Sequence, residues 1–187
     1  MRMTFRSLVG ANIFNFPKLT LVMGGAASGK SRFAEGLITA QDTPRIYVAT
    51  AQAFDSEMEA KIHKHQKDRG ESWITIEAPK DLVGALSSAP PDAIILIDCL
   101  TLWLTNIFLE KNDWQAATKA FLTAANECKN PIVTVSNEVG HGIVPDNRLG
   151  REFRNAQGAV NQQVAAQADL AVFVTAGLPQ VLKGALP

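Results

Sequence analysis

Cysteine is scarce: Cys99 and Cys128 are the only two in 187 residues. They form neither a metal-ligand spacing nor a disulfide framework, and both are expected as free thiols in a reducing compartment. An excess of charge of either sign is also missing. Lysine plus arginine and aspartate plus glutamate each number 18, so the formal net charge is zero. That removes any net pull toward nucleic acid or acidic lipid and leaves a small molecule as the expected partner. No uncharged apolar run reaches the ~18 residues that span a bilayer. The longest candidate, Ala93 to Leu109, is broken by Asp98, Thr101, Thr105 and Asn106. Arg2 and Arg6 precede a short apolar stretch, as in a signal peptide. Asn12 and Asn15 interrupt it and no small-residue cleavage site follows, so a cytoplasmic protein is expected. Linkers, repeats and low-complexity tracts are lacking too. One domain, 18–187, is expected behind an N-terminal arm, 1–17.

What is present is a globular balance, 47% hydrophobic and 19% charged, with enough length to bury a core. Apolar runs alternate with helix-period segments. The pattern predicts strands at Lys18–Met23, Arg45–Ala49, Trp73–Glu77, Ala93–Ile97, Pro131–Ser136 and Leu170–Thr175, the last of these closing the series. It predicts helices at Lys30–Thr39, Phe54–Arg69, Asp81–Leu86, Leu100–Leu109, Asp113–Cys128 and Arg148–Ala168. The runs IILI, IVTV and LAVFV are continuous rather than alternating, as in parallel strands covered on both faces. The expected fold is therefore α/β: a doubly wound, mostly parallel sheet of the P-loop NTPase type.

The strongest chemical signal is Gly24, Gly25, Ala26, Ala27, Ser28, Gly29, Lys30 and Ser31, which satisfies GxxxxGK[ST] between a strand and a helix. Glycines let the backbone wrap around phosphate oxygens, and the loop's N–H groups point at them. The following helix adds the positive end of its dipole. Lys30 is expected on the β- and γ-phosphates and the Ser31 hydroxyl on Mg²⁺. Ile94-Ile95-Leu96-Ile97-Asp98 has the form of the second nucleotide motif, with a carboxylate at a strand's C-terminal end, beside the loop. Asp98 either holds Mg²⁺ or caps the next helix. These two motifs indicate a nucleotide but not a reaction.

Four ordered blocks narrow the choice: GGAASGKSRFAE at 24–35, YVATAQAFDSEMEAKIHKHQKDR at 47–69, LIDCLTLWLTN at 96–106, and the run from Ser136 to Gly177 beginning SNEVGHG. Together they resemble the bifunctional adenosylcobinamide kinase and adenosylcobinamide-phosphate guanylyltransferase family, over about residues 19 to 184. The resemblance implies that a nucleoside triphosphate, GTP or alternatively ATP, phosphorylates adenosylcobinamide. GTP then donates GMP to adenosylcobinamide phosphate through a guanylyl-histidine. It also implies Mg²⁺ and a homo-oligomer, with no nucleic-acid or membrane partner.

The family's E-M-x-x-[RK]-I-x-x-H pattern falls on Glu57 to His65 and makes His65 the nucleophile. At about 100° per residue, Phe54, Met58, Ile62, His65 and Arg69 share a stripe about 80° wide, and His63 points away from it. A neutral imidazole nitrogen is available near neutral pH. Lys61, Lys64 and Arg69 either hold phosphate charge or face water. Glu138, in Asn137-Glu138-Val139-Gly140 after the strand IVTVS, either assists Mg²⁺ and the attacking hydroxyl or caps its own turn. Arg148, Arg151 and Arg154 recur every third residue, as a phosphate-gripping strip or as partners of Asp146 and Glu152. Asn161 and Gln162 match the family pattern without an evident chemistry. The family commonly has arginine at the position of Ala27 and often aspartate at that of Asn155; the first change is expected to alter nucleotide contact. A GTPase switch would carry an NKxD guanine motif, which the sequence lacks, and a single-activity kinase would leave His65 structural.

Overall fold

The computed structural model describes residues 16–52 and 72–187. The predicted helix Phe54–Arg69, and with it His63, His65, Lys61, Lys64 and Arg69, lies outside the described residues, as do residues 1–15.

Seven strands form one sheet in the order β3-β2-β4-β5-β1-β6-β7. They are β1 (Leu19–Gly24), β2 (Arg45–Ala49), β3 (Trp73–Glu77), β4 (Ile94–Asp98), β5 (Ile132–Asn137), β6 (Leu170–Thr175) and β7 (Leu178–Lys183). All pairings are parallel except β6 with β7. The helices are α1 (Lys30–Thr39), α2 (Leu82–Ser88), α3 (Leu100–Leu109), α4 (Trp114–Glu127) and α5 (Arg148–Gln167).

Alternate residues of the central strands feed two separate cores. Ile95 and Ile97 of β4 pack on one face with Leu82, Leu100, Trp103, Phe121 and Val160, from the helices α2 to α5. Ile94 and Leu96 pack on the other with Ala34 and Ile38 of α1 and with Phe16. Since both faces are covered, period-2 geometry yields an unbroken apolar run. These four apolar residues of β4 are fully buried, each stabilising the fold by about 1.5–3 kcal/mol relative to exposure.

Helix starts follow side-chain chemistry. The Asp113 carboxylate accepts from the N–H groups of Gln115 and Ala116 at 3.0 Å each, Asp81 from Gly84 at 2.8 Å, and Asn147 from Gly150 at 2.7 Å. Each satisfies N–H groups that the first turn leaves without a partner.

One expectation is corrected. Leu170–Thr175 is not the last strand, because β7 follows it antiparallel. The connecting residues Ala176 (φ 51°) and Gly177 (φ 79°) are both left-handed, as a two-residue hairpin turn of type I′ requires. Every residue of β7 is exposed, so no burial pattern betrays it, and Pro179 is tolerated because the strand is an edge.

Candidate active site

The phosphate loop leaves β1 and enters α1 as the sequence predicts. Ala27 and Gly29 take positive φ, 53° and 91°, the left-handed turns that fold the loop back on itself. Lys30 Nζ donates to the Gly25 carbonyl at 3.0 Å, drawing the ammonium into the loop's own concavity. Ser28 Oγ is buried without a hydrogen-bond partner among the described residues.

The β6–β7 turn closes one side of the loop, a contact the sequence motifs do not announce. Gly177 N–H donates to the Ser28 carbonyl at 2.8 Å, and a Cβ on Gly29 would lie 3.1 Å from the Gly177 Cα. The signal available was the VTAG run ending the fourth block. Gly24 is equally confined: a Cβ there would meet Ser28 Oγ and the Val174 carbonyl oxygen, each at 2.5 Å. Backbone cannot yield as a flexible side chain does. Gly24→Ala is therefore expected to cost about 1–3 kcal/mol by overpacking and to weaken triphosphate binding, read by thermal melting and nucleotide titration.

Glu138 stands directly beside the loop. Gly24 pairs with Asn137 across β1 and β5, and Glu138 N–H donates to the Gly24 carbonyl at 3.0 Å. Its neighbour is pinned from two helices: Asn137 N–H donates to Thr101 Oγ1 at 2.9 Å, and the Asn137 carbonyl accepts from Asn161 at 3.1 Å. Asn161 belongs to a buried set with Ser136 and Gln157, which gives Asn161 a structural task. Gln162 is exposed. The Glu138 carboxylate accepts from Gly140 N–H, so the turn-capping alternative is realised here.

Asp98 ends β4, and β5 lies between β4 and β1. It therefore sits at the same sheet edge as the loop but one strand further across than immediate adjacency would put it. Its Oδ2 accepts from Tyr47 Oη at 3.3 Å. The cap position of α3 belongs to Cys99, without a side-chain cap bond, so Asp98 does not take its alternative role as helix cap.

The three arginines diverge. Arg148 Nε lies 2.6 Å from Glu152 Oε1, and both are exposed. Arg151 donates to the carbonyls of Pro145 and Asp146, not to the Asp146 carboxylate. Arg154 reaches the Gly140 carbonyl in the loop after Glu138. Of the three, only Arg154 is tied to the edge where Glu138 lies.

Cys99, next to Asp98, has its thiol pKa pushed up from 9.0 to about 11, first by burial and then by the Asp98 charge. Unfolding then releases a proton between those values, so stability is expected to fall as pH rises from about 9 to about 11 and to be unaffected by this group below. The slope reaches about 1.4 kcal/mol per pH unit at most. Denaturant unfolding at stepped pH should lose this component in Cys99→Ala.

Magnesium is consistent with these residues. Ser31 and Asp98 offer hard oxygen donors, which Mg²⁺ prefers. Among the described residues no group of three or more His, Cys, Asp or Glu could hold a metal. None is needed by an ion that keeps waters and takes phosphate oxygens with one or two protein ligands. Among the described residues, no helix is long and apolar enough to cross a membrane.

Comparison with known proteins agrees with this construction. The crystal structure of the RadB recombinase superposes with a TM-score of 0.51, covering 84% of this chain and 74% of that one at 14% identity, which shows a shared P-loop fold. The bifunctional adenosylcobalamin biosynthesis protein CobP of Pseudomonas aeruginosa is 41% identical over 167 residues, 88% of this chain and 96% of the relative. The protein of the same description, CobU, from Salmonella typhimurium is 40% identical over 182 residues, 88% and 99% of the two chains. CobU of Escherichia coli is 38% identical over 181 residues, with the same coverage. The family model described as cobinamide kinase / cobinamide phosphate guanyltransferase matches residues 20–182. With a P-loop sheet underneath and relatives of that identity across nearly its whole length, the chain belongs to the cobinamide kinase / cobinamide phosphate guanyltransferase family.

Proposed function

We propose that the chain carries out both reactions on one P-loop domain, 18–187, with an N-terminal arm, 1–17, in the cytoplasm. In the first, the aminopropanol hydroxyl of adenosylcobinamide attacks the γ-phosphorus of GTP or ATP. The bond to the β-phosphate oxygen breaks and the nucleoside diphosphate leaves. Residues Gly24 to Ser31 wrap the triphosphate, and Lys30 neutralises charge on its terminal phosphates. Glu138 keeps its turn cap through Oε1 and takes the hydroxyl proton on its other carboxylate oxygen. Ser31 and Asp98 would hold Mg²⁺, which draws charge from the phosphate oxygens when bound.

In the second reaction the His65 imidazole attacks the α-phosphorus of GTP and expels pyrophosphate. The phosphate of adenosylcobinamide phosphate then attacks the same phosphorus. The P–N bond breaks, giving adenosylcobinamide-GDP and the free imidazole. Covalent relay divides one difficult displacement into two. Lys61, Arg69 and Arg154 compensate phosphate charge, and Arg148 and Arg151, held near the start of α5, contact phosphate or the anionic corrinoid product. A homo-oligomer belongs to this reading; apolar side chains left exposed at Ile143, Val144, Leu178 and Leu182 support it.

The observation that carries the proposal is the intact loop of residues 24–31, built against Glu138 and on the same sheet edge as Asp98, in a chain of this family. Incubation with adenosylcobinamide, Mg²⁺ and GTP should yield a corrinoid bearing GDP, identified by mass spectrometry. Unchanged corrinoid would overturn the proposal.

A further inference from the structure

Two leucines stay in water where α3 ends and α5 begins: Leu109 is 58% exposed and Leu149 55%. They flank a groove of about 280 Å³ between the two helices. Phe108 and Phe153, both half-buried, line it and meet edge to face with ring centroids 5.6 Å apart. Thr105 lines it too, but its hydroxyl donates to the Thr101 carbonyl at 2.8 Å and makes no polar demand on the groove.

Side-chain bonds hold α3 along the C-terminal ends of the strands. Asn106 Nδ2 donates at 2.9 Å to the carbonyls of Thr50, just past β2, and Pro79, just past β3. Trp103 Nε1 donates to the Lys80 carbonyl at 2.9 Å, and Lys80 pairs at 2.7 Å with Glu110, which follows Leu109. The last turn of α3 therefore stays at the end of the sheet where Glu138 and Asp98 lie. Thr101 Oγ1 accepts from Asn137 N–H at 2.9 Å, one residue before Glu138. Thr105 stands four residues further along α3, about 6 Å of rise. On the α5 side, the loop leaving Glu138 is pinned by Arg154 at Gly140 and by Arg151 at Pro145 and Asp146. Groove and carboxylate belong to one edge.

We propose that this groove seats the corrin macrocycle, one apolar edge of which packs on Phe108, Leu109, Leu149 and Phe153 while the aminopropanol arm reaches Glu138 and the phosphate loop. The inference rests on adenosylcobinamide being the substrate. Its ring carries methyl groups around a conjugated core, surface that gains by leaving water. An apolar hollow with few polar groups is how small-ligand sites are built. Charge agrees: Arg151 meets two carbonyl oxygens and no carboxylate among the described residues, which leaves a cation beside the groove for the phosphate that the arm acquires. A second copy of the chain fits less well. A stable interface takes about 20–30 residues from each side, and seven line this groove.

The test combines Leu109→Ser with Leu149→Ser, both at exposed positions where the fold tolerates change. Val83→Ser, at an exposed apolar position on α2, is the control. Equilibrium dialysis of adenosylcobinamide without nucleotide should give the double variant a Kd at least tenfold above the parent's, the scale on which apolar pocket contacts discriminate. KM for adenosylcobinamide in phosphorylation should rise by a similar factor. KM for the nucleotide, and labelling by α-labelled GTP alone, should stay within about twofold. Val83→Ser should match the parent throughout. Unchanged corrinoid Kd and KM in the double variant overturn the inference. So does a changed subunit number in sedimentation with corrinoid Kd unaltered, which gives the groove to a second copy. A parent that binds corrinoid without converting it, with binding weakened as expected in the double variant, removes the transfer reactions and leaves the groove standing. A parent that binds no corrinoid overturns both.

Discussion

His65→Ala is expected to abolish GMP transfer, by at least ~10³-fold or about 4 kcal/mol of barrier, while corrinoid phosphorylation stays within about threefold. The asymmetry follows from the chemistry proposed. Phosphorylation is a direct displacement at the γ-phosphorus, in which positioning and charge neutralisation by the loop do the work. Guanylyl transfer instead needs an atom that can bond the α-phosphorus and then leave it. Alanine offers none, and water cannot be retained at the site as a covalent guanylyl carrier. Label from α-phosphate-labelled GTP should be acid-labile and alkali-stable on the parent protein and absent from the variant. His63→Ala is the companion control and should label normally, because the family pattern expected from the sequence ends on His65 and not on His63. Equal loss of both activities in His65→Ala would instead mark the imidazole as structural.

The parts of this site that the sequence reveals are those where local chemistry has few solutions. GxxxxGK[ST] between an apolar run and a helix leaves the loop little choice, and the helix that follows begins at Lys30 as predicted. The continuous runs of β4, β5 and β6 announce strands buried on both faces. By contrast, β7 contains Pro179 and is exposed throughout, so neither period nor composition distinguishes it from a tail. What the sequence hides is pairing across long separations. Nothing local in Gly177 tells that its N–H closes the phosphate loop at Ser28. Asn106 reads as a polar interruption in an apolar helix, and its two acceptors, Thr50 and Pro79, lie 56 and 27 residues away. Similarly, the three-residue spacing of Arg148, Arg151 and Arg154 suggests one strip, yet each guanidinium finds a different nearby acceptor. Spacing fixes direction from a helix axis; the acceptors within reach decide what the side chain holds.

Lys30→Ala carries the other large effect, and unlike His65→Ala it should strike both reactions. Lys30 Nζ is bonded to the Gly25 carbonyl within the loop, a single neutral acceptor that binds an ammonium weakly compared with phosphate oxygens. Removing the side chain therefore takes little from the fold, and the Tm should move by no more than about 2 °C, the lower end of what ~1 kcal/mol does to a domain of this size. The kinase step should fall by about 10²–10³-fold, the loss typical of removing one preorganised group that stabilises transition-state charge. Guanylyl transfer should fall too, because the same chain must grip the triphosphate before its α-phosphorus is attacked. Lys30→Arg should recover only part of the rate, since a planar guanidinium does not fit a concavity shaped around a compact ammonium. Full kinase activity in Lys30→Ala would detach the loop from phosphoryl transfer, whatever His65 does.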